Sequence, residues 1–250
     1  MRRSVGVRLG RIATAAAGAV LMLGIAGPAA AWEVEAGAPD EDLRAFHRRF
    51  AAAAYPYPRH GAAPLGLVGF DVYVDLAVDE GFDGEPFFGP AVSGDLPADV
   101  LAVGRVGVRK GLPGGIDLGA SLGRAVGGDV ELISGELSWA ILDGGAVTPS
   151  LGLRLTGTRT TGGGAYDLDL YGAELELSKG FAVATPYVGA GAYLADGTLD
   201  RGALGPRVET DETAGFVYAG VTVNLLLPKL TFEVEQGEAF QGAFNLAFGF

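Results

Sequence analysis

From about residue 65 to the end of the chain, apolar side chains recur at every second position, and this period limits the fold more than any other feature. Phe70, Val72, Val74, Leu76 and Val78 alternate with Asp71, Tyr73, Asp75 and Ala77. A period of two sends successive side chains to opposite faces, which describes a strand with one apolar and one polar face. The pattern returns in Ile116, Leu118, Ala120 and Leu122 against Asp117, Gly119, Ser121 and Gly123. It returns again in Val217, Ala219, Val221, Val223 and Leu225, and in Leu230, Phe232 and Val234 against Thr231, Glu233 and Glu235.

Composition explains why so many strands are needed. The chain is acidic, with 18 basic and 30 acidic residues, yet its mean hydropathy is +0.30. After the first thirty residues no apolar run approaches the roughly 20 residues of a membrane helix. The 42 glycines among 250 residues suit short, strongly coiled strands.

Ten strands are expected, at about 66–77, 100–110, 115–124, 129–141, 147–158, 166–178, 183–195, 213–226, 229–237 and 241–250. The spacing predicts an all-β fold: a closed antiparallel transmembrane β-barrel of about ten strands, with eight as the alternative, preceded by a short helix. An even number is what a single-chain bacterial barrel requires. In 166–178 the apolar positions change phase, from Leu168 and Leu170 to Tyr171, Ala173, Leu175 and Leu177. A bulge or a change of environment near Tyr171 and Gly172 would account for the slip.

Alternate connections are tight. Leu112-Pro113-Gly114-Gly115, Asp143-Gly144-Gly145, Ser178-Lys179-Gly180 and Pro228-Lys229 carry turn residues, whereas the intervening set holds the long links 78–99, 159–165 and 196–212. Short turns at one end and longer loops at the other is the asymmetry of an outer-membrane barrel, and it puts both ends of the barrel on the short-turn side.

At the end of the chain Phe244, Leu246, Phe248 and Phe250 alternate with Ala243, Asn245, Ala247 and Gly249. This resembles the C-terminal signature of bacterial outer-membrane β-barrel proteins, a last amphipathic strand ending in an aromatic residue that the barrel-assembly machinery reads. The resemblance covers residues 65–250 and points to no particular family. It implies an outer-membrane location in a Gram-negative-type bacterium, with membrane lipid, lipopolysaccharide and the assembly machinery as partners. On a soluble protein, an apolar terminal strand would expose a sticky edge.

Residues 1–31 read as an export signal of the Sec type. Arg2, Arg3, Arg8 and Arg11 precede the apolar stretch Ile12 to Gly27, and Ala29-Ala30-Ala31 fits a small-residue cleavage site before Trp32. Cleavage removes four arginines and no acid, leaving 14 basic and 30 acidic residues, a formal charge of −16.

Residues 32–64 form a separate segment. Leu43, Phe46, Phe50 and Ala54 are spaced for one face of a helix over about 40–54, whose opposite face holds Arg44, Arg48 and Arg49. Tyr55-Pro56-Tyr57-Pro58-Arg59-His60 must leave the helix, because each proline forces extended geometry on its predecessor. This linker can lie in the periplasm, beneath the barrel mouth or in the lumen. Arg44, Arg48 and Arg49 are the candidate plug residues, attracted by acidic side chains inside the barrel.

The polar strand faces place Asp71, Asp75, Asp117, Glu136, Glu174, Glu176, Glu233 and Glu235 in the lumen with Arg105, Arg109 and Arg154, eight acids to three bases. The arginines are expected to fork between carboxylates of neighbouring strands. Trp139, Tyr171, Phe244, Phe248 and Phe250 are candidates for the aromatic girdles.

The absence of cysteine removes disulfides, thiolate metal sites and cysteine nucleophiles, and the acidic balance argues against nucleic acid. The two histidines, His47 and His60, precede the barrel and read as solvated, so no catalytic site, metal or cofactor is expected. Aromatic and acidic residues crowd the link 78–99, and external loops are where binding residues tend to sit. A barrel this narrow is filled mostly by its own side chains. The expected role is structural or surface-interacting, with a narrow cation-leaning channel or solute porin as the alternative and an exported soluble β-sheet binding protein as the third. Oligomeric state stays open.

Overall fold

The computed structural model describes residues 33–35, 37–80, 92–93, 100–126, 128–161, 166–201, 205–225 and 227–249. The export signal, Phe250 and most of the 78–99 link, including Phe82, Phe87 and Phe88, lie outside these residues.

Ten strands close into an antiparallel barrel in which each pairs with the next in the chain. They are β2 (Phe70–Glu80), β4 (Val100–Leu112), β5 (Ile116–Ala125), β6 (Glu131–Leu142), β7 (Ser150–Thr161), β8 (Tyr166–Ser178), β9 (Ala184–Leu199), β10 (Val208–Asn224), β11 (Pro228–Gln236) and β12 (Phe240–Gly249). Closure is made by β12 on β2, with Asn245 opposite Asp75 and Gly249 opposite Asp71. Two further short strands, β1 (Glu33–Val34) and β3 (Val92–Ser93), pair with each other outside the barrel. One helix, α1 (Asp40–Ala54), precedes the barrel.

The first barrel strand begins at Phe70, later than the periodicity suggests. Gly66 takes a left-handed φ of 76°, and Gly69 N–H donates to its carbonyl, so residues 65–69 turn before the strand starts. β9 and β10 run longer than expected, to Leu199 and from Val208, which shrinks the 196–212 link to 200–207. β2 runs on to Glu80, so Asp79 belongs to a strand and points inward, not to an acidic loop. In the β4–β5 turn, Gly114 and Gly115 both have positive φ, the backbone a tight hairpin needs and that a side chain resists.

The phase change in 166–178 is not a bulge. Pairing to β7 and β9 runs unbroken through Tyr171 and Gly172. Even-numbered residues face inward throughout, so Leu168, Leu170, Glu174 and Glu176 share one face. The environment changes instead: the lumen is apolar toward the long-loop end and charged toward the short turns.

The outer wall carries the alternate residues. Val72, Val74, Val106, Val108, Leu118, Leu122, Leu137 and Leu175 are all exposed, as are Trp139, Tyr171 and Phe248 among the girdle candidates. On β12, Phe244 and Leu246 are half-buried on the same face as Phe248, and Phe244 lies 5.3 Å from the Phe232 ring.

Candidate functional site: the occupied lumen

Residues 38–65 run down the inside of the barrel from the long-loop end to the short-turn end, where Leu67 and Val68 emerge at the rim. Three acids, Asp40, Glu41 and Asp42, occupy the first turn of α1, where the helix dipole favours negative charge. At this end Arg201, just past β9, donates to the Ala38 carbonyl at 2.9 Å and pairs with Asp40 at 2.7 Å. The helix then buries Leu43, Phe46, Phe50 and Ala51 to Ala54 against Leu101, Leu132, Leu168, Leu170 and Leu199 of the barrel interior. The alanines let the backbone approach the wall where larger side chains would not fit. Tyr166 receives the edges of Phe46 and Phe50, with ring centroids at 5.4 and 5.2 Å.

His47 is buried here. Its Nε2–H donates to the Ala195 carbonyl at 3.2 Å, which leaves Nδ1 to accept the Tyr166 hydroxyl at 2.6 Å. Gly197, on the facing strand, leaves the space that this imidazole occupies. His60, lower down, is half-buried, and its Nδ1–H donates to the Gly61 carbonyl. Neither histidine is the solvated residue that its position ahead of the barrel suggests, because the segment carrying both lies inside the barrel.

Below the helix the lining becomes polar, and the extended linker threads between charges. Tyr55 and Tyr57 stack into an aromatic cluster with Tyr193, Phe216 and Tyr218. Arg105 donates to the carbonyls of Ala53 and Tyr55 at 3.1 and 3.4 Å and lies 3.6 Å from Asp75. Arg154 pairs with Glu136 at 2.5 Å and with Glu174, and donates to the Pro56 carbonyl. Arg59 is buried between Asp75 at 2.9 Å and Glu235 at 3.3 Å. It adopts a left-handed φ of 47°, which costs a non-glycine residue about 1–3 kcal/mol and persists only where its surroundings hold it.

Nearer the short turns, Arg109 and Lys229 share Asp71, at 2.8 and 2.7 Å. Asp117 accepts the Leu65 amide, and Ser178 accepts that of Ala62. Glu233 and Glu176 accept the hydroxyls of Tyr187 and Tyr218, at 2.6 and 3.2 Å. Each of these tyrosines lies over a glycine directly across the strand pair, Tyr187 over Gly220 and Tyr218 over Gly189. The space that lumen glycines open is therefore taken by rings. A cavity of about 20 Å³ remains between His60, Asp117, Arg154 and Glu176, room for about one water.

All eleven charged residues read as luminal face inward: Arg109 and Arg154 pair directly with barrel carboxylates, Arg59 of the threaded segment joins Asp75 to Glu235, and Asp117, Glu176 and Glu233 accept from the Leu65 amide and two tyrosine hydroxyls. The three helix arginines behave differently. Arg49 reaches Asp79 at 3.2 Å, Arg48 is half-buried and Arg44 is exposed. The helix docks by its apolar face, not its basic one. Arg59, the cation at the centre of the acidic zone, went unnoticed in the sequence because a single arginine in a proline-rich linker belongs to no pattern. The aromatic side chains at Tyr55 and Tyr57 were equally silent. Their one signal is that both stand immediately before a proline, in extended backbone that turns residues two apart toward the same side, where both rings meet Phe216.

Strand order and closure define a meander β-barrel with its own N-terminal segment inside. No protein-family model matches the chain, and no curated protein does. Among solved structures it is similar to the N-terminal β-barrel domain of Pseudomonas aeruginosa OprF, at 12% identity over 74% of this chain and 99% of that one, with a TM-score of 0.34. It is also similar to the KdgM porin, at 7% identity over 73% and 99% with a TM-score of 0.37. Neisserial surface protein A gives 13% identity over 72% and 95%, with a TM-score of 0.31.

Proposed function

We propose that this protein is a small outer-membrane barrel whose lumen is sealed by residues 38–64, and that it serves a structural or surface-interacting role, neither conducting solute nor catalysing a reaction. The observation that carries this reading is the linker itself, held in mid-lumen by buried Arg59 and Arg154 on four carboxylates. A membrane location is supported by the outer wall. Its exposed belt of valine and leucine side chains would cover far more than the few hundred Å² of contiguous apolar surface that a water-soluble monomer tolerates.

Single-channel recording in a planar bilayer tests the seal. The intact mature chain should show no conductance steps, and a chain lacking residues 38–64 should show cation-selective ones, because the lining left behind is rich in carboxylates. Steps from the intact chain would favour the narrow-channel alternative. Recovery from the soluble fraction, with no heat-modifiable gel migration, would favour an exported soluble protein.

A further inference from the structure

The path of the threaded segment fixes more than a seal. Ten strands place both barrel termini, Phe70 and Gly249, at the short-turn end. The segment before Phe70 then crosses the lumen once more, in the opposite direction when followed backward. Its contacts mark successive depths: Asp117 on Leu65 near the short turns, Arg154 on Pro56, Arg105 on Ala53, and Arg201 on Ala38 at the far end, while outward-facing Lys110 holds the carbonyls of Leu67 and Gly69 at the rim. Beyond Ala38, Glu33–Val34 pair with Val92–Ser93 of the β2–β4 connection, which belongs to the long-loop end.

The geometry points to a second activity for this barrel: it carries its own N-terminal polypeptide through its lumen and presents the arm around residues 33–35 on the outer face of the membrane. This rests on the outer-membrane reading above, with short turns toward the periplasm. The lumen holds this segment by its main chain, through Asp117, Arg154 and Arg105, and by its side chains, through Arg59 on Asp75 and Glu235 and the apolar face of the helix, so its crossing is fixed along its whole length. A polypeptide joined ahead of residue 33 would be presented outside along with it.

The absence of cysteine allows a direct test, since any introduced thiol is the sole one. Three single variants, E35C, V147C and P206C, place an exposed thiol in the N-terminal arm, in the β6–β7 turn at the short-turn end and in the β9–β10 loop at the long-loop end. Each is labelled with a membrane-impermeant maleimide on intact cells and after permeabilisation. Heat-modifiable migration of each variant shows that its barrel has closed.

The expected result is that E35C and P206C label fully on intact cells and V147C only after permeabilisation. If E35C labels like V147C while P206C labels on intact cells, the arm does not cross and the inference falls, although the barrel stands. If V147C labels on intact cells and P206C does not, the orientation is reversed and the outward display falls with it. If all three label equally in a soluble fraction, the outer-membrane reading itself has failed.

Discussion

The two halves of this lumen hold the same segment by different physics. Toward the long loops, helix α1 meets leucine, alanine and tyrosine side chains and is fixed by fit. Toward the short turns, the extended linker meets carboxylates and guanidinium groups and is fixed by pairing. Apolar contact tolerates small shifts of a helix, because no single bond is lost. A buried charge tolerates none, since a guanidinium moved off its carboxylates leaves both without water or partner. The charged half therefore sets the register of the segment, and the apolar half supplies much of its burial.

The largest effect is expected where pairing is densest. Arg154→Ala leaves Glu136 and Glu174 facing each other in the interior and also frees the Pro56 carbonyl. A loss of about 4 kcal/mol is expected, within the range for breaking a buried ion pair. Urea unfolding of detergent-folded protein, followed by heat-modifiable migration, measures it. Arg154→Lys should restore little, because an ammonium presents its donors from a single point and lacks the planar span by which the guanidinium reaches Glu136, Glu174 and the Pro56 carbonyl together. A loss below that of the apolar-half variant described next would invert the comparison.

In the apolar half, Leu43→Ala removes a fully buried side chain from between the helix and the wall. The expected cost is about 3 kcal/mol, mid-range for a core leucine truncated to alanine. The two losses differ in kind as well as size. Leu43→Met should recover most of the second by keeping its volume, whereas no neutral residue of similar size should recover the first while Glu136 and Glu174 remain.

The strands were legible because lipid outside and a filled lumen inside impose a strict period of two. The apparent slip in β8 shows the limit of that reading. Leu168 and Leu170 face inward like Glu174 and Glu176, but periodicity reports only polarity, and the polarity of this lumen changes halfway along its axis. A sequence pattern cannot say that the partner of Leu168 is a helix from residues 40–54. For the same reason the helix was legible and its docking face was not. Three arginines suggest docking by charge, while Leu43, Phe46 and Phe50 bury the opposite stripe.

Within the apolar half, a single hydrogen bond carries a smaller prediction. Tyr166→Phe keeps the ring against Phe46 and Phe50 but leaves Nδ1 of buried His47 without its donor. A loss of about 1.5 kcal/mol is expected, the cost of one unsatisfied buried acceptor. His47→Leu combined with Tyr166→Phe should recover part of it, because both polar groups are then gone. Urea unfolding of the two single variants and the double, as a mutant cycle, reads the coupling directly.

The smallest expected effect decides which face of α1 does the docking. Arg44 is exposed at the long-loop end, and Arg48 is half-buried. If the basic face held the helix to the acidic lumen, Arg44→Ala would weaken the seal and the weakening would shrink in high salt. With the apolar face as the anchor, Arg44→Ala should change stability by less than about 0.5 kcal/mol, as for an ordinary surface substitution. It should also leave the intact barrel without conductance steps. Arg49→Ala is the internal contrast, because its guanidinium reaches the buried carboxylate of Asp79. A measurable loss for Arg49→Ala beside none for Arg44→Ala, at low and high salt alike, would mean that one arginine reaches the lumen by its position on the helix and that net attraction of the basic face contributes nothing.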